Sequence, residues 1–346
     1  MLVSTFFFIA NLDPGGSDAS QIMQGAQNGS QLIVSLFEKD WEDLVNGNSP
    51  VYTAVTSVAL LAAVALVSFW SLGWYVQISE EGFSPGVITE MVYPLLVIMM
   101  LAVNNGALLA NSSLALRNVS NNINNNVLNI TRNGVTLKEA IRNTSMDQAF
   151  IMAAKAQMAE CEKQPLEGID QDGNEINPRQ ICINETTEKI KKESDDFRAK
   201  NNLPETKTNW NIFDLGGQAI NATVQGLSYI IFSGLAAAFQ YVVQVSFLLN
   251  SYIGPIFLVL SLLPIGAKPI LAWLAGWLAL GLVLVSYSII VGIAASSIVN
   301  TPSNNPLFLP LVEAILSPIL AVAIGSGGGM AVFTGFSNTA KIIGRR

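Results

Sequence analysis

The feature that most constrains the fold is an uncharged, apolar run that extends from Ile270 to Val299. As a helix, this run would be about 45 Å long, and the hydrocarbon core of a bilayer is only about 30 Å thick. A buried helix of a large soluble protein would carry polar or charged interruptions, which the run lacks. We therefore predict a transmembrane helix, with Lys268 at the water and with Trp273 and Trp277 in an aromatic belt.

The composition of the whole chain agrees with a multi-span membrane protein that also carries a polar region. Of the 346 residues, 51% are hydrophobic and 12% are charged, and the formal net charge is −7. An acidic chain lacks the basic surface that is typical of nucleic-acid-binding proteins. The sequence contains no histidine, the commonest metal ligand and general base. It also has no phosphate-binding loop, metal cluster or nucleophile–base pair. We predict that the protein is not an enzyme and uses no cofactor or metal.

Apolar segments predict an all-α polytopic membrane protein with about five transmembrane helices. Two helices lie within residues 51–110, and three lie within residues 217–346 before a basic tail. The predicted spans are about 52–76, 87–109, 226–249, 270–299 and 307–336. A break is expected at Asn250–Pro255. Residues 1–50 form an N-terminal segment, in which positions 30–45 are an amphipathic helix. Because its polar face is acidic, we expect this helix to lie on the outer surface or on a partner subunit.

The charges at the end of the chain predict its orientation in the membrane. Lys268, Lys341, Arg345 and Arg346 fall on one side of the predicted spans. The positive-inside rule then places the C-terminus in the cytosol. Five spans consequently place the N-terminus and the 111–216 loop domain outside the cytoplasm.

The large loop between spans two and three is predicted to be helical and polar. Leu116 to Ile130 is an asparagine-rich stretch with a narrow apolar stripe, and Thr136-Leu-Lys-Glu139 is a capping box that begins another helix. Residues 186–199 are expected to form a solvated, charged helix. Cys161 and Cys182 suit a disulfide on the oxidising side of a membrane, with two free thiols as the alternative.

Polar and glycine residues inside the predicted spans are candidate functional positions. Asn104 and Asn105 in span two, and Gln240 and Gln244 in span three, could line an aqueous path or could hydrogen-bond to neighbouring helices. Span five contains Gly325, Gly327, Gly328 and Gly329. These glycines are costly in a membrane unless neighbouring helices cover the backbone. They predict close packing, and a flexible constriction is the alternative.

One stretch resembles a known family. The segment from Gly254-Pro255 through an apolar run to Pro264, followed by a short basic loop and then Trp273 at the head of a long apolar helix, is similar to the polytopic inner-membrane channel subunit of type IV secretion and conjugation systems (the TrbL-type family). The resemblance covers about residues 250–300. It implies a non-catalytic, multi-pass subunit of the inner (cytoplasmic) membrane, with Trp273, or alternatively Trp277, as the family's tryptophan.

The resemblance also implies partners. Such a subunit would form an oligomeric part of a macromolecule translocation path, beside separate ATPases and pilus subunits, and DNA or protein would be the translocated substrate. The alternative is a membrane anchor of a larger complex or a small-solute transporter. Because the polar and glycine positions need neighbouring helices, we expect a homo-oligomer with spans three to five, including Gly327, at the shared interface.

Overall fold

The computed structural model shows an all-α protein whose helices suit a membrane. It describes residues 37–82, 85–132, 134–161, 163–169, 173–200, 222–263, 268–300 and 307–343. These residues contain five helical segments that are long and apolar enough to span a bilayer, as predicted. The five segments are Phe37–Glu80, Ile88–Leu128, Ile231–Leu260, Lys268–Ile298 and Phe308–Gly335. The expectations for residues 1–36 lie outside the described residues.

The described residues belong to two compact units. The first unit draws on Leu128–Phe239 and Ile289–Ser317, and the second on Ile33–Val127, Gln240–Ser288 and Pro318–Arg346. Two of these boundaries fall inside long helices.

In the second unit, α1 (residues 37–45) is amphipathic, as its sequence predicts. Phe37, Trp41 and Leu44 are all buried on one face, and the helix ends before Gly47, whose φ of 73° favours glycine. The rings of Phe37 and Tyr241 lie 5.2 Å apart. The chain itself therefore covers the apolar face of the described part, without a partner subunit. That this helix lies on the outer surface stays a prediction.

Helix α2 (Pro50–Glu81) is the first span and forms a hairpin with α3 (Pro85–Ala102). Ser49 caps α2 by accepting a hydrogen bond from the Tyr52 amide, and Pro50 occupies the first turn, where no amide donor is needed. Gly82, with a φ of 73°, ends the helix.

The predicted second span, 87–109, is interrupted by a tight turn. Helix α3 ends at Ala102, a 3₁₀ turn occupies Val103–Gly106, and α4 (Ala107–Leu128) follows. Asn104 and Asn105 have φ values of 45° and 54°, in the left-handed region. Asparagine is one of the few side chains that tolerate this region. The expectation of an unbroken helix through Leu109 is therefore wrong.

The remaining long helices are α7 (Ala222–Leu260) and α8 (Lys268–Asn300), followed by a short α9 (Phe308–Leu311), a π-helical turn at Val312–Leu316 and α10 (Ser317–Ile343). The predicted break at Asn250–Pro255 is wrong, because α7 continues through Pro255. A proline removes one helical hydrogen bond, which packing against neighbouring helices can tolerate in a membrane helix. Span five instead deviates at its π turn.

The first unit contains an antiparallel pair of helices, α5 (Leu137–Cys161) and α6 (Pro178–Lys200). They are preceded and joined by two short antiparallel hairpins, β1 (Thr131–Arg132) with β2 (Val135–Thr136), and β3 (Gly168–Ile169) with β4 (Glu175–Ile176). The predicted capping box is present. The Glu139 carboxylate accepts from the Thr136 amide at 3.1 Å, and the Thr136 hydroxyl accepts from the Glu139 amide at 3.2 Å.

A small core and a disulfide hold α5 and α6 together. Phe150, Ala154, Met158 and Ile190 form a buried cluster. Cys161 and Cys182 form the expected disulfide, with Cα atoms 5.5 Å apart. Helix α6 is only partly the solvated helix that was predicted, because Thr187, Ile190, Ser194 and Arg198 are buried on one face. Burial lowers the pKa of Arg198.

Candidate functional site in the second unit

The candidate site begins where α7 and α8 cross within the second unit. Gly254 leaves room for the indole of Trp273, since a Cβ atom at Gly254 would lie 3.2 Å from that ring. The Trp273 indole nitrogen donates a 2.8 Å hydrogen bond to the backbone carbonyl of Asn250. One turn along α8, a Cβ atom at Gly276 would lie 3.3 Å from the Asn250 side-chain oxygen. Two glycines therefore allow the helices to approach closely, and the Trp273 hydrogen bond joins α8 to α7 at the crossing.

Around this crossing lies a set of aromatic rings, which we call the tryptophan cluster: Trp41, Phe247, Trp273 and Trp277. The Trp277 ring stacks on Phe247 with centroids 5.7 Å apart and meets Trp273 edge-on at 6.1 Å. Trp41 of α1 lies 6.5 Å from Trp277. Such pairs add about 0.5–1.5 kcal/mol each beyond their area burial.

The tryptophan cluster corrects the prediction of an aromatic belt. Trp273 and Trp277 are 5% and 2% exposed, respectively, so they do not face lipid or water. The sequence pattern, two tryptophans one turn apart beside a lysine, is the same for a belt and for a buried cluster. The side chains that cover them come from α1 and α7, which are distant in the sequence, so the pattern alone could not distinguish the two.

Arg117 of α4 extends the tryptophan cluster and was missed by the sequence analysis. Its guanidinium lies 5.0 Å from the Trp41 ring centre, and one of its nitrogens lies 3.3 Å from a carboxylate oxygen of Glu38. The arginine side chain is 4% exposed, whereas that of Glu38 is 62% exposed. One feature of the sequence could have pointed to Arg117. It is the only lysine or arginine between Lys39 and Arg132.

Several buried polar atoms of the second unit have no hydrogen-bond partner among the described residues. They include Trp41 Nε1, Ser113 Oγ, Arg117 Nε, Asn124 Oδ1, Gln244 Oε1, Asn250 Nδ2 and Trp277 Nε1. A buried donor or acceptor without a partner costs about 1–3 kcal/mol. The interior of the second unit therefore contains polar side chains beside its apolar ones.

The predicted path-lining residues do not form one group. Gln244 is buried and Gln240 is half-buried. Asn104 and Asn105 are exposed at the turn between α3 and α4. A residue of α2 stabilises that turn, since the Tyr52 hydroxyl donates a 3.0 Å hydrogen bond to the Gly106 carbonyl.

The glycine run of span five has two different environments. A Cβ atom at Gly328 would lie 2.6 Å from Leu282, and one at Gly329 would lie 2.6 Å from Ala279. Gly325 is equally close-packed, since its Cβ would contact Val283 and would lie 2.8 Å from the Ala279 carbonyl. These three glycines therefore face α8 of the same chain. Gly327, by contrast, has open space where a side chain would point.

Neither the described residues nor the comparisons assign a chemistry to this site. Among the described residues, no group of three or more His, Cys, Asp and Glu side chains could hold a metal ion. Comparison of the chain with protein-family models, with curated proteins and with solved structures finds no match.

Proposed function

We propose that this chain is a non-catalytic channel or scaffold subunit of a type IV secretion or conjugation-like machine and that it works as an oligomer in the inner membrane. The assignment to that class rests on the resemblance of residues 250–300. The residues that carry the resemblance, Gly254 and Trp273, are in direct contact, which is consistent with a shared structural role for the motif. DNA or protein would be its cargo, and ATPases and pilus subunits would be its partners.

The outer face of α10 is the observation that carries the oligomeric part of the proposal. Four small residues spaced four apart are exposed along it: Ala323, Gly327, Ala331 and Gly335. Exposed leucine costs little in lipid, so exposure of large side chains is uninformative. Exposed glycine and alanine instead favour the close approach of another helix. The opposite face of α10, with Gly325 and Gly329, already packs in this way on α8.

Copies that pack through α10 would cover its exposed small residues. They would also allow a central path between subunits, which a channel role requires.

Electron cryomicroscopy of the purified protein in lipid nanodiscs tests the oligomeric proposal. A closed ring with a central opening is expected. Single-copy particles in nanodiscs large enough for a ring would contradict it. Deletion of the gene from its native host, with transfer of DNA or protein as the readout and the parent gene as rescue, tests the assignment to a secretion machine. Unchanged transfer would contradict that assignment.

A second candidate function, a small-solute transporter, is favoured by one observation. Gln244, Asn250 and Arg117 place buried polar atoms within helices that suit a membrane, and such groups often mark solute pathways. Flux of small solutes into liposomes by the single-copy protein would favour this alternative. The same measurement should show no flux if the chain is only one part of a larger channel. A membrane anchor of a larger complex would give neither a ring nor solute flux.

A further inference from the structure

A groove near the end of the α2–α3 hairpin is separate from the tryptophan cluster and plays no part in the proposed function. It has a volume of about 520 Å³. The groove is lined by Phe69, Trp70, Gly73, Trp74, Gln77 and Glu90. Five of these residues belong to the last turns of α2, and Glu90 projects from the second turn of α3.

Two indole rings form a corner in this groove. The rings of Trp70 and Trp74 lie 6.2 Å apart at an interplanar angle of 87°. Between them, Gly73 has no atom within 4 Å of the position where a Cβ would lie. A side chain at position 73 would therefore project into open space beside the two rings. The groove therefore presents a carboxylate and indole surface, mostly that of Trp70 because Trp74 is only 7% exposed.

The negative charge of the hairpin favours binding of a cation in the groove. No lysine or arginine occurs between Lys39 and Arg117, whereas Glu80, Glu81 and Glu90 lie within this interval. The ion pairs found among the described residues do not include Glu90. Indole faces attract ammonium groups through their quadrupole, and the carboxylate adds a charge of the opposite sign. An anionic headgroup without an amine would lack both attractive contacts and would be repelled by the carboxylate.

The position of the groove indicates the source of the cation. Helix α2 carries no charged residue from Pro50 to Ser79, and charges begin at Glu80. Trp70, Trp74 and Tyr75 thus lie within the last turns before the water, which is the depth of the lipid headgroups. Leu72 and Val76 are exposed on the same turns and offer apolar surface to acyl chains.

From these observations we infer that the groove, which we call the headgroup groove, binds the ammonium of a zwitterionic phospholipid such as phosphatidylethanolamine. The ammonium contacts the ring of Trp70, beside the buried Trp74, and is paired with the Glu90 carboxylate. The Gln77 amide can donate a hydrogen bond to the headgroup phosphate. The hairpin has no lysine or arginine that could do so instead. The groove thereby discriminates against anionic lipids that lack an amine.

Native mass spectrometry of the detergent-extracted full chain tests this inference. Phosphatidylethanolamine and phosphatidylglycerol with identical acyl chains are titrated, and the fraction of protein that carries one molecule of each lipid is compared. A cation–π contact and a carboxylate together predict a preference of about five- to tenfold for phosphatidylethanolamine. Glu90→Gln and Gly73→Leu should each reduce the preference to about twofold or less. The first removes the charge, and the second fills the groove.

The matched control is Glu42→Gln, which removes one exposed carboxylate from α1 and should leave the preference unchanged. Glu90 is exposed, so its variant is expected to fold, and circular dichroism checks this. Equal binding of the two lipids by the parent, or a preference that survives Glu90→Gln, would overturn the inference. Displacement of the lipid by millimolar ethanolamine or by a lysine-rich peptide, in place of lipid selectivity, would overturn the lipid assignment.

Discussion

The indole nitrogen of Trp273 donates a 2.8 Å hydrogen bond to the backbone carbonyl of Asn250, while its ring covers Gly254. A side chain and a backbone that lie 23 residues apart are thereby joined where α7 and α8 cross. This contact makes Trp273 a buried packing residue of the second unit.

Replacement of Trp273 should therefore destabilise the protein itself. Trp273→Phe removes the hydrogen bond and is expected to lower the free energy of unfolding by about 1 kcal/mol. Trp273→Ala also leaves a cavity over Gly254 and is expected to cost about 3–5 kcal/mol. Thermal unfolding in detergent measures both. The control is Tyr75→Ala, since Tyr75 is 74% exposed. If Trp273→Ala unfolds at the parent's temperature, Trp273 acts as a lipid-facing anchor instead.

Replacement of Arg117, unlike that of Trp273, is not expected to lower the free energy of unfolding. Because a buried charge pays a desolvation cost, Arg117→Met should leave the free energy of unfolding unchanged or raise it. Glu38→Gln should change that free energy by less than about 1 kcal/mol, since Glu38 is largely exposed. Chemical denaturation of both variants is the measurement. A loss of more than about 2 kcal/mol in Arg117→Met would indicate that the charge is required for folding.

The disulfide between Cys161 and Cys182 should stabilise the α5–α6 pair. Chain-entropy estimates give about 3 kcal/mol for a loop of this size. The double variant Cys161→Ala/Cys182→Ala should unfold more easily by this amount and should be insensitive to reductant, whereas the parent should respond to it. Peptide mass mapping without reductant provides a direct check. Recovery of both cysteines as free thiols would contradict the bridge.

The capping box at the start of α5 predicts a pH effect. Hydrogen bonds from the Thr136 amide and hydroxyl hold the pKa of Glu139 below its ordinary value. The stabilisation is therefore present above the unfolded-state pKa and is lost as the pH falls through the lowered pKa. Glu139→Gln should remove the pH-dependent part, and Thr136→Ala should cost about 1 kcal/mol. Unfolding of the parent and Glu139→Gln, compared at neutral and acidic pH, should differ less at acidic pH. An equal difference at both would contradict the assignment.

The spans and the capping box could be predicted because each depends on residues close in sequence. An uncharged run such as Ile270–Val299 has few alternatives to a membrane helix, and Thr136 contacts Glu139 three positions away. The local signals misled where a distant contact decides the outcome. Pro255 indicated a break, yet α7 continues through it. Asn104 and Asn105 looked like polar positions within a helix, yet they adopt left-handed conformations that end it.

The tryptophan cluster also depends on contacts between residues that are distant in the sequence. Trp273 and Trp277 were identified as important positions, but their burial depends on Trp41 and Phe247, which no sequence periodicity connects to them. Arg117 was overlooked because a single arginine among asparagines resembles a solvated face. The glycine run was correctly associated with close packing, but the difference between Gly325 and Gly327 depends on the rotation of α10 relative to α8.

That difference provides the most direct test of the central claim, which is that the chain assembles through the outer face of α10. Gly327→Leu places a side chain in open space of its own chain, so each copy should still fold. The same bulk should block the approach of a second copy. Ala65→Leu is the control, because Ala65 is also exposed but lies on α2, outside the predicted interface.

The measurement is the mass of the parent and both variants in lipid nanodiscs, determined by light scattering coupled to size-exclusion chromatography. The account predicts an oligomeric parent, an oligomeric Ala65→Leu and a folded but monomeric Gly327→Leu. A parent that is monomeric, with Gly327→Leu indistinguishable from it, would contradict the account.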